Sequence, residues 1–290
     1  VGCDDGKVRV YSVEDASQLV AFPAHSGTVR DIVAWETGRL ATCGEDNKVK
    51  TWVGYRKEHC YTGHTQSVYA LAIRSDKTLA SGSLDHTIHT YEADGVHVLS
   101  GHDGGVSALV ALPHVKLVSG GWDSKVVVWS GRAKIHSIDC SPDWVLAVLA
   151  VDETRVLAAT ESEDVQMYQN KTKDRTLVGH AKSVYALLNM PFGITASGSE
   201  DKTIRFWQDD RCINTMTPHK NTIMDLAYCE HDGTVVSVSL DKTVKFFRSP
   251  GGIAEGSGVG FGARSGPEAD AGAGAGAGAE AGAGAGAGAG

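Results

Sequence analysis

Across 290 residues the chain carries 27 basic and 35 acidic side chains, a formal charge of −8, which leaves no excess of cations for neutralising a phosphate backbone. It holds no run of 18 apolar residues that could span a bilayer, and no signal-peptide pattern. Its six cysteines show no Cys-x-x-Cys and no shared spacing, so they read as reduced thiols of a cytosolic chain, the nucleus being the other reducing compartment.

In chain order, residues 2–5 (Gly-Cys-Asp-Asp) read as the end of one strand and its turn, 8–12 as the next strand and 18–22 as another. From His25 a longer pattern sets in. Each unit opens on a histidine, runs through an apolar stretch and a stretch of small residues to an aspartate, and closes a β-branched stretch on an aromatic. His25 to Trp52, His64 to Tyr91, His102 to Trp129 and His180 to Trp207 are each 27 positions apart, and His219 to Phe247 is 28. Asp46, Asp85, Asp123, Asp201 and Asp241 stand six positions before the closing aromatics. Thr42, Ser81, Ser119, Ser197 and Ser237 stand four positions before those aspartates. Closing aromatics recur about every 40 residues from Tyr11 through Tyr168 to Phe247, so the chain is a repeat array. The apolar stretches 28–35, 67–73, 106–112, 145–151, 183–190 and 222–229 suit inner strands packed on both faces, followed by a small-residue strand and a β-branched strand.

A period near 40 that carries Gly-His, then Asp, then Trp resembles the WD-repeat β-propellers, over residues 1–247. The resemblance implies an all-β, seven-bladed β-propeller over residues 1–249. Its first blade would lack its inner strand and its last blade its outer strand, with roughly 25 upstream residues absent. One departure is general: no closing aromatic is followed by the aspartate that names the family. Residues 250–290 collapse to glycine and alanine, a tail with too little apolar bulk to offset its ordering entropy, so disorder is expected there. Gly256-Ser-Gly-Val-Gly-Phe-Gly within it lacks the spacing, strand and helix of a phosphate loop.

Recurring His, Ser and Asp suggest a hydrolase triad, but five copies in one array make no chemical sense. In the WD-repeat family these residues form a buried network, indole to hydroxyl to imidazole to carboxylate, which satisfies polar groups inside each sheet. Carried over, the network is His25, Thr42, Asp46 and Trp52; His64, Ser81, Asp85 and Tyr91; His102, Ser119, Asp123 and Trp129; His180, Ser197, Asp201 and Trp207; and His219, Ser237 and Asp241. The fifth unit loses it as a set: Ser141, Ala158 and Ser162 stand at the three positions, and only Tyr168 remains. His86 and His89 read as surface histidines, and Lys171, Lys173 and Arg175 as a solvated loop.

The same resemblance assigns three positions per blade to the mouth of the central channel. They give Arg30 and Glu45, Tyr69 and Leu84, Trp122, Trp144 and Glu161, Tyr185 and Glu200, and Met224 as a candidate partner-binding face, with Asp4 from the first blade. Aromatics and Met at solvent-facing positions, rimmed by carboxylates, fit a protein or peptide partner with apolar anchors and basic residues. The expected function is a non-enzymatic interaction scaffold or adaptor, monomeric within larger complexes. No catalytic residue, metal or cofactor is expected, and neither nucleic acid nor membrane as a partner. The alternatives are a ubiquitin-system substrate receptor, for which Trp129-Ser-Gly-Arg132 lacks the expected aspartate, and an enzyme with a site at the channel.

Overall fold

The computed structural model describes residues 1–34, 38–248 and 263–264. Strands β1 (Lys7–Tyr11) and β2 (Gln18–Pro23) form a two-stranded antiparallel sheet. Six four-stranded antiparallel meanders follow. The first is β3 (Val29–Ala34), β4 (Arg39–Gly44), β5 (Lys48–Val53) and β6 (Arg56–Thr62). The second is β7 (Val68–Ile73), β8 (Leu79–Ser83), β9 (Thr87–Glu92) and β10 (Gly95–Ser100). The third holds β11 (Val106–Leu112), β12 (Lys116–Gly121), β13 (Lys125–Ser130) and β14 (Ala133–Asp139), and the fourth β15 (Val145–Ala150), β16 (Arg155–Thr160), β17 (Val165–Gln169) and β18 (Thr172–Leu177). In the fifth are β19 (Val184–Met190), β20 (Ile194–Ser199), β21 (Ile204–Gln208) and β22 (Arg211–Met216). The sixth contains β23 (Ile223–Cys229), β24 (Thr234–Ser239), β25 (Val244–Arg248) and β26 (Ala263–Arg264). A single 3-10 turn, Pro191–Gly193, is the one helical element among the described residues, and no helix there is long and apolar enough to cross a membrane.

The all-β propeller is therefore present, but with six blades rather than seven. The N-terminal unit is not a blade: it has β1, β2 and a single bridge between Gly2 and Val8. The last blade does have an outer strand, because Phe246 and Phe247 pair with Arg264 and Ala263. The expected disorder of the tail otherwise concerns residues outside those described. Lys171, Lys173 and Arg175 sit at or within outer strand β18 and its turn rather than in a loop.

Each inner strand follows the same rule. Its first residue, Val29, Val68, Val106, Val145, Val184 or Ile223, is buried, and a β-bulge comes directly after it. From the second blade onward that first residue packs against the second strand of the preceding blade, and at Val106, Val145 and Ile223 a glycine there permits close approach. A Cβ on Gly120 would stand 2.5 Å from Val145 Cγ1, and one on Gly198 2.6 Å from Ile223 Cγ2. Burying such a side chain contributes about 1.5–3 kcal/mol, and the core is this contact repeated between sheets. The β1–β2 unit fills the remaining arc. Val8 and Phe22 pack on Val29 and Trp52 of the first blade, while Val1, Tyr11 and Val13 pack on Val244 and Phe246 of the last. Inner strands β3, β7, β11, β15, β19 and β23 thus surround a central channel.

Candidate functional site

In five blades the histidine, hydroxyl and aspartate meet as the spacing demands. Nε2 of His25, His64, His102, His180 and His219 lies 2.7–2.8 Å from Thr42, Ser81, Ser119, Ser197 and Ser237, and Nδ1 lies 2.6–3.0 Å from the matching aspartate. Trp52, Trp129 and Trp207 donate their indole N–H to the same hydroxyl at 2.8–3.0 Å, and the Tyr91 hydroxyl takes that place at 2.9 Å. An aspartate can only accept here, so Nδ1 carries the proton. Nε2 then accepts from the hydroxyl.

The aspartates also hold the turn between second and third strands. Asp201 accepts the N–H of Ala181 at 3.0 Å and of Thr203 at 2.8 Å, and Thr203 Oγ1 donates to it at 2.6 Å. The residue after the aspartate adopts a left-handed conformation in all five blades, as at Lys202 with φ 70°. Burial would raise Asp85, Asp201 and Asp241, but these donors outweigh it and hold each carboxyl at about 2. Burial pushes the imidazoles of His25, His64, His180 and His219 down against the pull of their aspartates. The stable pair is a neutral imidazole beside a carboxylate. All five hydroxyl-bearing side chains are fully buried, so none can meet a substrate.

The β15–β18 blade is built differently. Ala158 is fully buried in an apolar cluster with Val148, Val156 and Tyr168. The Tyr168 hydroxyl turns instead to Cys140 Sγ at 3.1 Å and Gln166 Oε1 at 2.5 Å, and Thr160 and Ser162 bond each other at 2.6 Å.

Around the channel mouth, the backbone itself assembles the three positions of each blade. The N–H of Glu45, Leu84, Trp122, Glu161, Glu200 and Leu240 donates to the carbonyl of Thr28, Ser67, Gly105, Trp144, Ser183 and Thr222, at 2.8–3.0 Å. On this frame lies a ladder crossing four blades. Arg30 pairs with Glu45 and sits 4.5 Å over the Tyr69 ring; Tyr69 meets Trp122 edge-on at 5.7 Å; Trp122 stacks on Trp144 at 5.4 Å and 18°. The mouth is less open than expected. Glu45, Trp144 and Glu161 are exposed, while Arg30, Tyr69, Leu84, Trp122, Tyr185, Glu200 and Met224 are half-buried, Tyr69 and Trp122 in contact with neighbouring rings. Glu200 accepts from Lys182 at 2.6 Å, and burial pushes the Tyr185 phenol up, helped by Glu200 and Glu161.

A profile of the WD domain, G-beta repeat, matches residues 16–52, 55–92, 94–130, 171–208 and 210–248. The chain belongs to the WD40 family. The matched repeats are those with the histidine network, and the interval 131–170 between them holds β14 and the first three strands of the β15–β18 blade. The chain is 27% identical over 289 residues to Telomerase protein component 1 of Mus musculus, covering 87% of this chain but spanning only 11% of that protein's length. It is 22% identical over 303 residues to the Ribosome biogenesis protein WDR12 homolog of Trichoplax adhaerens, covering 85% of this chain and 69% of the relative. Among solved structures, the WD40 β-propeller domain of Doa1 superposes with a TM-score of 0.68 at 23% identity, over 76% of this chain and 78% of the other, which shows the shared fold.

Sequence reasoning missed two features of this WD40 propeller. His89 is not a surface histidine: it is buried, its ring stacked on His64 at 3.7 Å and 17°, and burial lowers it to about 4. The other blades place Lys50, Val127, Gln166, Arg205 and Lys245 at this position, so the repeat offered no signal of its burial. His86 does lie exposed, on the left-handed turn. The second miss is a pair of channel aspartates, Asp31 and Asp225, which interrupt apolar inner strands where other blades have alanine.

Neither of the two His and carboxylate groupings among the described residues suits a metal ion. His64, Asp85 and His89 include two nearly parallel rings whose in-plane lone pairs cannot converge, and both nitrogens of His64 are already bonded. Glu92, Asp94 and His97 surround the Arg132 guanidinium, which donates to Glu92 at 2.7 Å and Asp94 at 2.9 Å.

Proposed function

We propose that this chain is a non-enzymatic interaction scaffold whose channel mouth binds a protein or peptide partner carrying apolar anchors and basic residues. The observation that carries the reading is the Tyr69–Trp122–Trp144 ladder, held by backbone bonds at the mouth and bordered by Glu45, Glu161 and Glu200. Stacked aromatics on a rigid frame supply contact area at little cost in side-chain entropy, and such residues dominate interface energetics. The His–hydroxyl–Asp sets serve as internal fasteners, which leaves recognition to the outward-facing positions.

The names of the relatives, a ribosome biogenesis protein and a telomerase component, favour work inside a larger assembly in a nuclear setting over the cytoplasmic placement expected from the thiols. No specific observation favours the ubiquitin-adaptor alternative: Arg132, its candidate contact, is occupied by Glu92 and Asp94 of the neighbouring blade. The test is affinity capture with crosslinking mass spectrometry on the full chain, with and without Trp144→Ala, Tyr185→Ala and Glu200→Ala combined. Partners crosslinked at the mouth should be lost while the melting curve is kept. Unchanged capture would remove the mouth as the binding face.

A further inference from the structure

The residue directly after the inner-strand bulge faces the channel in every blade, and the six such residues are Asp31, Ala70, Ala108, Ala147, Ala186 and Asp225. Four alanines leave space and two carboxylates line it, within a cavity of about 490 Å³ that also takes in Tyr69, Trp122 and Tyr185 at the mouth. That volume falls in the ~300–1,000 Å³ range of small-ligand pockets. Among the described residues Arg30 is the one cationic side chain in the lining, and its guanidinium is engaged by Glu45 and Tyr69. The backbone nitrogen of Val1 donates to the Arg9 carbonyl at 2.8 Å.

The two carboxylates are fixed in place rather than neutralised. Asp31 accepts the N–H of Ile32 at 2.6 Å and, across the blade boundary, of Leu71 at 2.7 Å. Asp225 accepts the N–H of Leu226 at 2.8 Å through Oδ1, and its Oδ2 accepts nothing among the described residues. Both face channel space that protein walls surround. Asp31 is half-buried and Asp225 is exposed to the channel space; the surrounding walls still push both carboxyls up, with Asp225 adding to the effect on Asp31, which rises to about 7. Two carboxylates that share one narrow channel with no free cationic side chain between them repel each other, and a cation brought by a partner relieves that repulsion.

Resting on the mouth reading above, we infer that the channel receives one basic side chain of the partner, its cationic head between Asp31 and Asp225 and its neighbouring apolar residues on Tyr69, Trp122 and Trp144. Charge complementarity selects this occupant over an acidic or neutral one, and the aromatic walls add favourable faces for a cation on its way in.

The test uses capped Leu-Arg-Leu tripeptide, with counterparts carrying lysine or the neutral isostere citrulline in place of arginine. Binding is followed by tryptophan fluorescence and calorimetry. The arginine or lysine peptide should bind, the citrulline peptide about tenfold more weakly, and Asp31→Asn or Asp225→Asn should erase that difference while leaving the citrulline peptide's affinity unchanged. The second substitution guards against a folding defect in the first. Equal affinity for arginine and citrulline peptides, with both lost in Trp144→Ala, would overturn the cation pocket yet keep the mouth. Absence of binding by every peptide at about 1 mM, or a charge preference that survives both Asn variants, would overturn the inference outright.

Discussion

The β19–β22 and β15–β18 blades are neighbours with the same strands, bulges and closing aromatics, yet they hold their centres by different means. In the first, Trp207, Ser197, His180 and Asp201 form one continuous chain of hydrogen bonds. In the second, Ala158 fills the hydroxyl position with carbon, and Tyr168 finds a short link to Cys140 and Gln166. A propeller blade therefore needs a filled, satisfied centre and not a particular set of residues. What fails is a partial set, because one missing member strands the others in a low-dielectric interior.

The harshest test of that contrast removes a middle member. His180→Ala leaves the Ser197 hydroxyl and the Asp201 carboxylate without their imidazole, and should cost about 2–4 kcal/mol in urea or guanidinium unfolding. Ser141→Ala, the equivalent position next door, should stay within about 0.5 kcal/mol. Equal losses in the two blades would end the distinction.

Acid should separate the blades next. Folding lowers the His180 pKa below its unfolded value of 6.5, so its neutral form is favoured and the stability it lends is present above that pH and lost below it. Asp201 is lowered from 3.8 to about 2, so its contribution persists to about pH 4 and fades on the way to about 2. Hydrogen exchange between pH 8 and 5 should show opening free energies falling for β20 and β21 amides before those of β16 and β17. A uniform fall would break the comparison.

A packing variant probes the same pair from the other side. Gly198→Ala puts a Cβ 2.6 Å from Ile223 Cγ2 and should cost about 1–3 kcal/mol, whereas the β15–β18 blade already carries Ala159 at the matching place, fully buried. Thermal melts of Gly198→Ala, alone and with Ile223→Val, should show partial rescue. A smaller loss is expected of Tyr168→Phe, which gives up one hydroxyl whose partners are a thiol and a half-buried amide. About 1 kcal/mol is expected, again from denaturant unfolding.

How far the sequence could be read depended on whether a residue's role is local or assembled. His180, Ser197 and Asp201 were legible because a fixed strand length carries each to the same spot in every repeat, so spacing stands in for geometry. The N-terminal unit shows the limit of that register. The strand positions of 8–12 and 18–22 were right, yet whether they amount to a blade is decided by pairing, and only β1 and β2 pair along their length. His89 was misread because a β-branched third strand gives no sign of which neighbouring ring it will meet. Trp122 and Trp144 were placed at the mouth by family position, but their mutual stacking, which half-buries Trp122, belongs to two different blades.

By itself the sequence determined the repeat, the β-strand content and the five polar networks, because each arises within about 40 residues of contiguous chain. Tertiary structure alone decided the blade count, the ladder running from Arg30 to Trp144, and the meeting of Asp31 with Asp225 in one channel. Those features join residues from separate sheets, and the distance between them is set by how the sheets pack around an axis that no single repeat contains.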